Sequence, residues 1–216
     1  MLENRTLLHN RRSQRSRICR TPRVPYTGMR PATAVVAGIV TAIDPWDDLE
    51  REHIDRTLAW LHSTDDIFRR APMTPSPHLV AYTVLVDPDG RGIYLGRHRK
   101  SALHLPMGGH LEKDETPLSA ARREAREELG FDPVFDVVGE APVLLTMTTV
   151  GRTEHHVDIS LWHVIRGSRD RAYLLDPAEF DGGRWWDLDP CGLPDTDPHL
   201  PRFIRKLDTV LTSTPR

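Results

Sequence analysis

The sequence predicts a mixed α/β sandwich. Three observations carry that expectation. A β-hairpin pattern occupies 78–97, a helix with stop signals at both ends occupies 117–129, and further strand-like runs lead to a closing amphipathic helix at 201–211. Strands separated by two major helices need a sheet on which those helices can bury their apolar faces.

The elements follow in order. Residues 1–30 hold eight arginines and one acid, Glu3, a charge of +7. The chain as a whole carries −2, so 31–216 carries −9: a basic tail precedes an acidic body. The tail has no sustained apolar period and reads as disordered. A nucleic-acid arm, a targeting leader and a translation start at Met29 are the competing readings. The apolar run at 34–43 has the composition of a signal-peptide core, but the basic stretch before it is long and no clear cleavage site follows. Asp44-Pro45 is a helix start, with Asp as N-cap and Pro at the first helical position. The segment 46–62 then carries Asp47, Asp48 and Glu50 in its first turn and Ile54, Leu58 and Leu61 at helical spacing, with Trp46 and Leu49 nearby. Ser63 or Thr64 caps a short second helix through Phe68. The Pro-rich stretch 71–77 is a boundary. We therefore divide the chain into a tail (1–30), a helical N-terminal extension (31–77) and a main domain (78–216).

The main domain opens with a strand at 78–86, the turn Asp87-Pro88-Asp89-Gly90, and a return strand at 92–96. A short strand at 103–107 runs into Gly108-Gly109. Thr116 is an N-cap, Pro117 takes the first helical position, and Gly130 closes the helix after Leu129. Strand-like runs follow at 134–138, 143–150, 156–165 and 184–187. The closing helix places Phe203, Leu207, Val210 and Leu211 on one side. No stretch of eighteen apolar residues exists, which excludes a spanning helix. Cys19 and Cys191 lie far apart without metal-type spacing, which argues against a disulfide framework and suits a reducing, cytoplasmic setting.

The chemistry concentrates in 109–131, GHLEKDETPLSAARREAREELGF. Glu124, Glu127 and Glu128 share one helix face. Like charges at these spacings destabilise a helix by roughly 0.2–0.5 kcal/mol per pair, so something must offset them. Arg122, Arg123 and Arg126 are interleaved and suit a solvated salt-bridge helix. The alternative is a hard divalent cation such as Mg²⁺, which takes oxygen ligands and needs only a few carboxylates beside water and phosphate. The glycine pair ahead of the loop lets backbone approach that cation.

The spacing Gly109, Glu115, then Arg123-Glu124-Ala125-Arg126-Glu127-Glu128-Leu129-Gly130 resembles the Nudix box, with Phe131 at its last apolar position. Ala125 departs mildly from the bulky aliphatic that the pattern wants. The resemblance covers about 78–211 and implies a Nudix-type α/β/α sandwich of the MutT-like kind. It implies Mg²⁺- or Mn²⁺-dependent hydrolysis of a nucleoside diphosphate linked to some moiety X, a modified nucleoside triphosphate among the options. By the same resemblance Glu124, Glu127 and Glu128 are metal ligands, with a backbone carbonyl of Gly108 or Gly109. Glu127 or Glu128 helps to deprotonate water, and Glu115 and Arg123 form a structural ion pair. Glu179 is the expected carboxylate from outside the box, with Asp181 and Glu154 as rivals.

Other polar residues carry weaker expectations. His78, Tyr82, His104, His110, His155, His156 and Asp158 are candidates for the cleft wall. Arg97, His98, Arg99 and Lys100 form a basic run suited to a diphosphate, and Trp185 and Trp186 could stack on a base. The implied partner is a small-molecule diphosphate; no membrane and no nucleic acid is expected, and the resemblance admits a homodimer. A Nudix-fold binding or regulatory module without turnover is the alternative.

Overall fold

The apolar run at 34–43 is helical. In the computed structural model, which describes residues 30–64, 66–68, 76–151 and 155–213, α1 spans Pro31–Thr41 with Pro at its start. Its buried residues Thr33, Val36, Ala37 and Val40 recur at i, i+3, i+4 and i+7, one stripe of a helix. The expected disordered tail (apart from Arg30), most of the Pro-rich boundary and Glu154 lie outside the described residues.

α2 (Asp48–Ser63) starts three residues later than the Asp44-Pro45 signal suggests. Asp47 is the N-cap, because its carboxylate accepts the Glu50 N–H at 2.7 Å. Glu50 in turn accepts the Trp46 N–H at 2.8 Å, which holds Trp46 outside the helix. The short second helix expected through Phe68 does not form. Thr64 and Asp66 instead take neighbouring backbone N–H groups with their side chains, the local competition that favours turns over helix.

From His78 onward the order is β1 (His78–Asp87), β2 (Gly92–His98), β3 (His104–Leu105), β4 (Met107–His110), α3 (Pro117–Leu129), β5 (Leu144–Val150), β6 (His156–Arg166), β7 (Phe180–Asp187) and α4 (Leu200–Ser213), so the single strand expected at 103–107 is divided into β3 and β4. The sheet runs β3-β2-β1-β6-β5, with β4 also on β1 and β7 on β2. The β1–β6 pair is parallel and the other strand pairs are antiparallel. Alternate residues of β1 feed two cores. Leu79, Ala81 and Leu85 pack with α1, α2 and α3, whereas Val84 and Val86 pack with Trp162 and the α4 residues Phe203, Ile204 and Leu207.

The run at 134–138 is a loop, contrary to its strand-like composition. Both edges of β6 are taken, by β1 and β5, so no ladder is open to it. It makes one backbone bond, Arg166 N–H to the Val134 carbonyl at 2.8 Å, and buries Phe135. β5 is the edge strand on its side, and α2 covers it. The Leu145 N–H donates to Glu50 at 3.1 Å and the Met147 N–H to His53 Nδ1 at 3.2 Å. Helix side chains thus occupy the donors that an open edge would offer to another chain.

His163 yields a stability prediction. It is 1% exposed, its Nδ1–H donates to the Glu140 carbonyl at 3.0 Å, and burial pushes its pKa down to about 4. A depressed folded pKa gives stability that is full above the unfolded value near 6.5 and is lost as pH falls toward 4. That loss is about 2 kcal/mol between about pH 7.5 and about pH 5. His163→Gln keeps a donor without titrating, so its denaturant midpoints should fall less over that interval. An unchanged pH slope would refute the assignment.

Candidate functional site

Local signals set both ends of α3. The Thr116 side chain accepts the Ser119 N–H, Ser119 returns a bond to the Thr116 N–H, Pro117 stands at the first helical position, and Gly130 closes the helix at φ 71°. Ala120, Ala121, Ala125 and Leu129 face the core. Small side chains there let α3 lie close on β1, where the Thr83 hydroxyl reaches the Ala121 carbonyl at 3.0 Å. Ala125, the departure from the box pattern, belongs to this buried face.

That placement turns Glu124 and Glu128 into a cleft of about 990 Å³, which Gly108, Gly109 and Glu179 also line. Glu128 is 3% exposed and accepts the Gly108 N–H at 2.7 Å. Burial pushes its pKa up to about 9, helped by the charges of Glu124 and Glu179 and opposed by the Gly108 bond. Burial also raises the Glu124 pKa against the pull of Arg123, with Glu127 and Glu179 adding to the rise. Three carboxyl groups, two half-buried or buried on one helix turn and one exposed on a loop 51 residues on, therefore repel one another at one end of the cleft. The loop is held there by the Asp176 N–H on the Glu128 carbonyl (3.1 Å) and the Arg99 N–H on the Glu179 carbonyl (2.8 Å).

Close approach marks both glycines. A Cβ on Gly109 would lie 2.2 Å from Glu124 Oε1. One on Gly108, at φ 145°, would lie 2.3 Å from the Ala81 carbonyl oxygen. At Gly108 the clash is with backbone, so only glycine fits; at Gly109 a side chain would push the Glu124 carboxylate out of its place.

Arg123 is the organiser. Its Nε and Nη2 grip Glu115 at 2.8 and 3.0 Å, Nη2 reaches the His110 carbonyl at 3.0 Å, and Nη1 reaches Glu124 at 2.7 Å and Glu127 at 3.0 Å. The expected Glu115–Arg123 pair is therefore present. Although burial works against it, Arg123 and a backbone N–H from Glu112 hold the Glu115 carboxyl below its usual range. Arg122 and Arg126 turn away, to Glu140 and Asp132. Of the interleaved arginines, then, Arg123 alone answers the acidic face. Glu127 stands on the exposed flank, 57% exposed and paired with Arg123, and is not among the residues that line the cleft.

The remaining candidates divide. His98, Lys100, His110, His156, Asp158 and Tyr82 line the cleft. Arg97, His104 and Trp186 line a second hollow, where Arg184 stacks on Trp186 at 3.7 Å. Trp185 packs on the core covered by α1, α2 and α3, and Trp186 on the core covered by α4. Arg99 pairs with Asp181 at 2.9 Å, which removes that rival of Glu179 from the cleft. His155 is exposed. His78 is buried, with Nε2 2.8 Å from Asp158 Oδ1. Sequence reasoning passed over Lys113 and Glu112, which also line the cleft and lie inside the box loop.

The donor set suits a hard dication: carboxylate oxygens and backbone oxygen, held where mutual repulsion gives a cation something to relieve. Residues 76–207 match the family model described as the NUDIX domain. An RNA pyrophosphohydrolase of Xanthomonas oryzae is 34% identical over 117 residues, and one of Stenotrophomonas maltophilia is 33% identical over the same length. Each alignment covers 49% of this chain, and the chain spans only 57% and 56% of those relatives. Among solved structures, a NUDIX-family hydrolase from Clostridium perfringens is similar at 21% identity with a TM-score of 0.48, over 63% of this chain and 99% of that one.

Proposed function

The chain belongs to the NUDIX family, and from that premise we propose that it is a metal-dependent pyrophosphohydrolase. Its substrate is a nucleoside diphosphate linked to a further moiety, and the bond cleaved is the phosphoanhydride. The observation that supports this most is the convergence of Glu124, Glu128 and Glu179 on one cleft beside Gly108 and Gly109.

In this reading Glu124, Glu127, Glu128 and a backbone carbonyl of Gly108 or Gly109 would hold Mg²⁺ or Mn²⁺, Glu127 from the exposed flank where it now pairs with Arg123. The cation, when bound, draws charge from the diphosphate and lowers the pKa of water. The chain's own residues do the rest. Glu179 receives the proton of the attacking water; the water oxygen bonds to phosphorus, and the bridging P–O bond breaks with its electrons on the departing phosphate. Lys100 and Lys113 face the same cleft and offer cationic partners to the phosphates. Arg123 keeps Glu124 aimed and the Glu115 loop shut against α3.

A panel of nucleoside triphosphates, sugar- and alcohol-linked nucleoside diphosphates and a 5′-triphosphorylated oligoribonucleotide, incubated with and without Mg²⁺, tests this. The RNA is included because the curated relatives bear that name. Metal-dependent cleavage is the expected result: phosphate or pyrophosphate from the triphosphates and the RNA, and a nucleoside monophosphate with a phosphorylated sugar or alcohol from the linked diphosphates, the products fixing the bond broken. Binding without release across the panel would favour a non-catalytic module. On the best substrate, Glu179→Gln should lower kcat by about 100-fold or more with little change in KM or Tm, because Glu179 is exposed and carries no packing. Unchanged kcat would remove Glu179 from the mechanism.

A further inference from the structure

We propose that His78, His110, His156 and Asp158 form a binding site for a borderline transition-metal cation, Zn²⁺ in the first place, separate from the acidic residues of α3. The inference does not rest on the hydrolase reading.

Sheet register assembles the group. β1 and β6 run parallel with His78 beside Asp158, and β4 lies antiparallel to β1 with His110 beside Val80. Side chains two apart on a strand share a face, so His156 joins Asp158 and His78 joins Val80. Four donors from three strands thus meet on one wall. Their ligand atoms all lie within 4.8 Å of one another. His78 Nε2 is 2.8 Å, and His156 Nε2 3.3 Å, from the same oxygen, Asp158 Oδ1. The His78 ring lies tilted against His110 at 4.5 Å and stacks on His156 at 5.0 Å.

Donors around a tetrahedral Zn²⁺ with bonds of about 2.0–2.1 Å stand about 3.3 Å apart. The observed spacings bracket that value, so small side-chain movements complete the site. Three imidazoles and one carboxylate make a donor set that favours Zn²⁺ over Mg²⁺, which prefers oxygen and keeps its water. The α3 site has the opposite character, oxygen throughout. One cleft therefore offers two chemically distinct cation sites. Entry is open, because His110, His156 and Asp158 line the cleft while His78 closes the site from within at 0% exposure. With four protein ligands the cation acts as a clamp. It ties β4, the strand that carries Gly108 and Gly109, to β1 and β6.

The test uses the full chain, stripped with a chelator and titrated with Zn²⁺ or Co²⁺ alone, without Mg²⁺ or substrate. One equivalent should bind and raise Tm, and Co²⁺ should give the strong visible absorption of four-coordinate geometry. His156→Ala and Asp158→Asn, at half-buried positions, should each weaken binding by about ten-fold or more, whereas Glu124→Gln and Glu128→Gln should leave it intact. Circular dichroism confirms that each variant is folded. The proposal is overturned if the parent chain binds neither ion, if binding survives in whichever of His156→Ala and Asp158→Asn folds, or if it is lost in the α3 variants.

Discussion

Glu128→Gln should abolish most turnover while leaving the fold in place. Gln has the shape of the protonated carboxyl. Its oxygen can still accept the Gly108 N–H, so the contact that ties β4 to α3 persists. What disappears is a negative charge that becomes available only when a cation stabilises it against burial and against Glu124. The expected loss in kcat is on the order of 10²–10³-fold, the range seen when one electrostatic contributor is removed from a desolvated site. Tm without added metal should be unchanged or higher, since a buried group that resists ionisation no longer has to be carried. The rise in Tm on adding Mn²⁺ should shrink. A Glu128→Gln variant with full turnover on a good substrate would show that the cation is held elsewhere.

The contrast between Glu128 and Glu127 marks what a linear sequence discloses. Helical spacing put both on one face with Glu124, and the caps at Thr116 and Gly130 fixed the helix itself. These are local signals and are legible without a fold. Burial depends on the sheet beneath the helix, and it separates a residue 3% exposed from a neighbour whose side chain is 57% exposed. The hairpin at β1–β2 was legible for the same local reason, through its Pro-Asp-Gly turn. The strand expected at 134–138 was not excluded by any local signal, because only the sheet order shows that β6 has no free edge. Glu179 came from resemblance, and the fold supplies its physical reason: a loop bonded to the Glu128 carbonyl carries it to the cleft. The His78–Asp158 pair spans 80 positions and rests on parallel register, which composition does not encode.

The same limit hid the contact with the largest expected effect on stability. Glu50 is one of the acids of the α2 first turn, and in sequence it reads as a solvated charge favourable to the helix dipole. In the fold it is 0% exposed. Lys206 Nζ from α4 lies 2.9 Å from both its carboxylate oxygens and donates to the Asp44 carbonyl at 2.7 Å. The Leu145 and Trp46 N–H groups supply the other bonds to that carboxylate. One buried ion pair thereby joins the N-terminal extension, the edge strand β5 and the closing helix. Asp47 and Arg202 add a more exposed pair alongside at 2.5 Å. Lys206→Met keeps the apolar stem but leaves Glu50 without its counter-charge. That should cost about 3–5 kcal/mol, or roughly 10 °C in Tm for a chain of this size. The double variant Glu50→Gln with Lys206→Met strands no charge, although its single amide oxygen can accept from only one of the Trp46 and Leu145 N–H groups, so it should be more stable than Lys206→Met alone but less stable than the parent. At temperatures where the single variant is folded, kcat should match the parent, because neither residue touches the cleft. A loss below about 1 kcal/mol for Lys206→Met would mean that α2 and α4 are held together by apolar packing and that the pair is incidental.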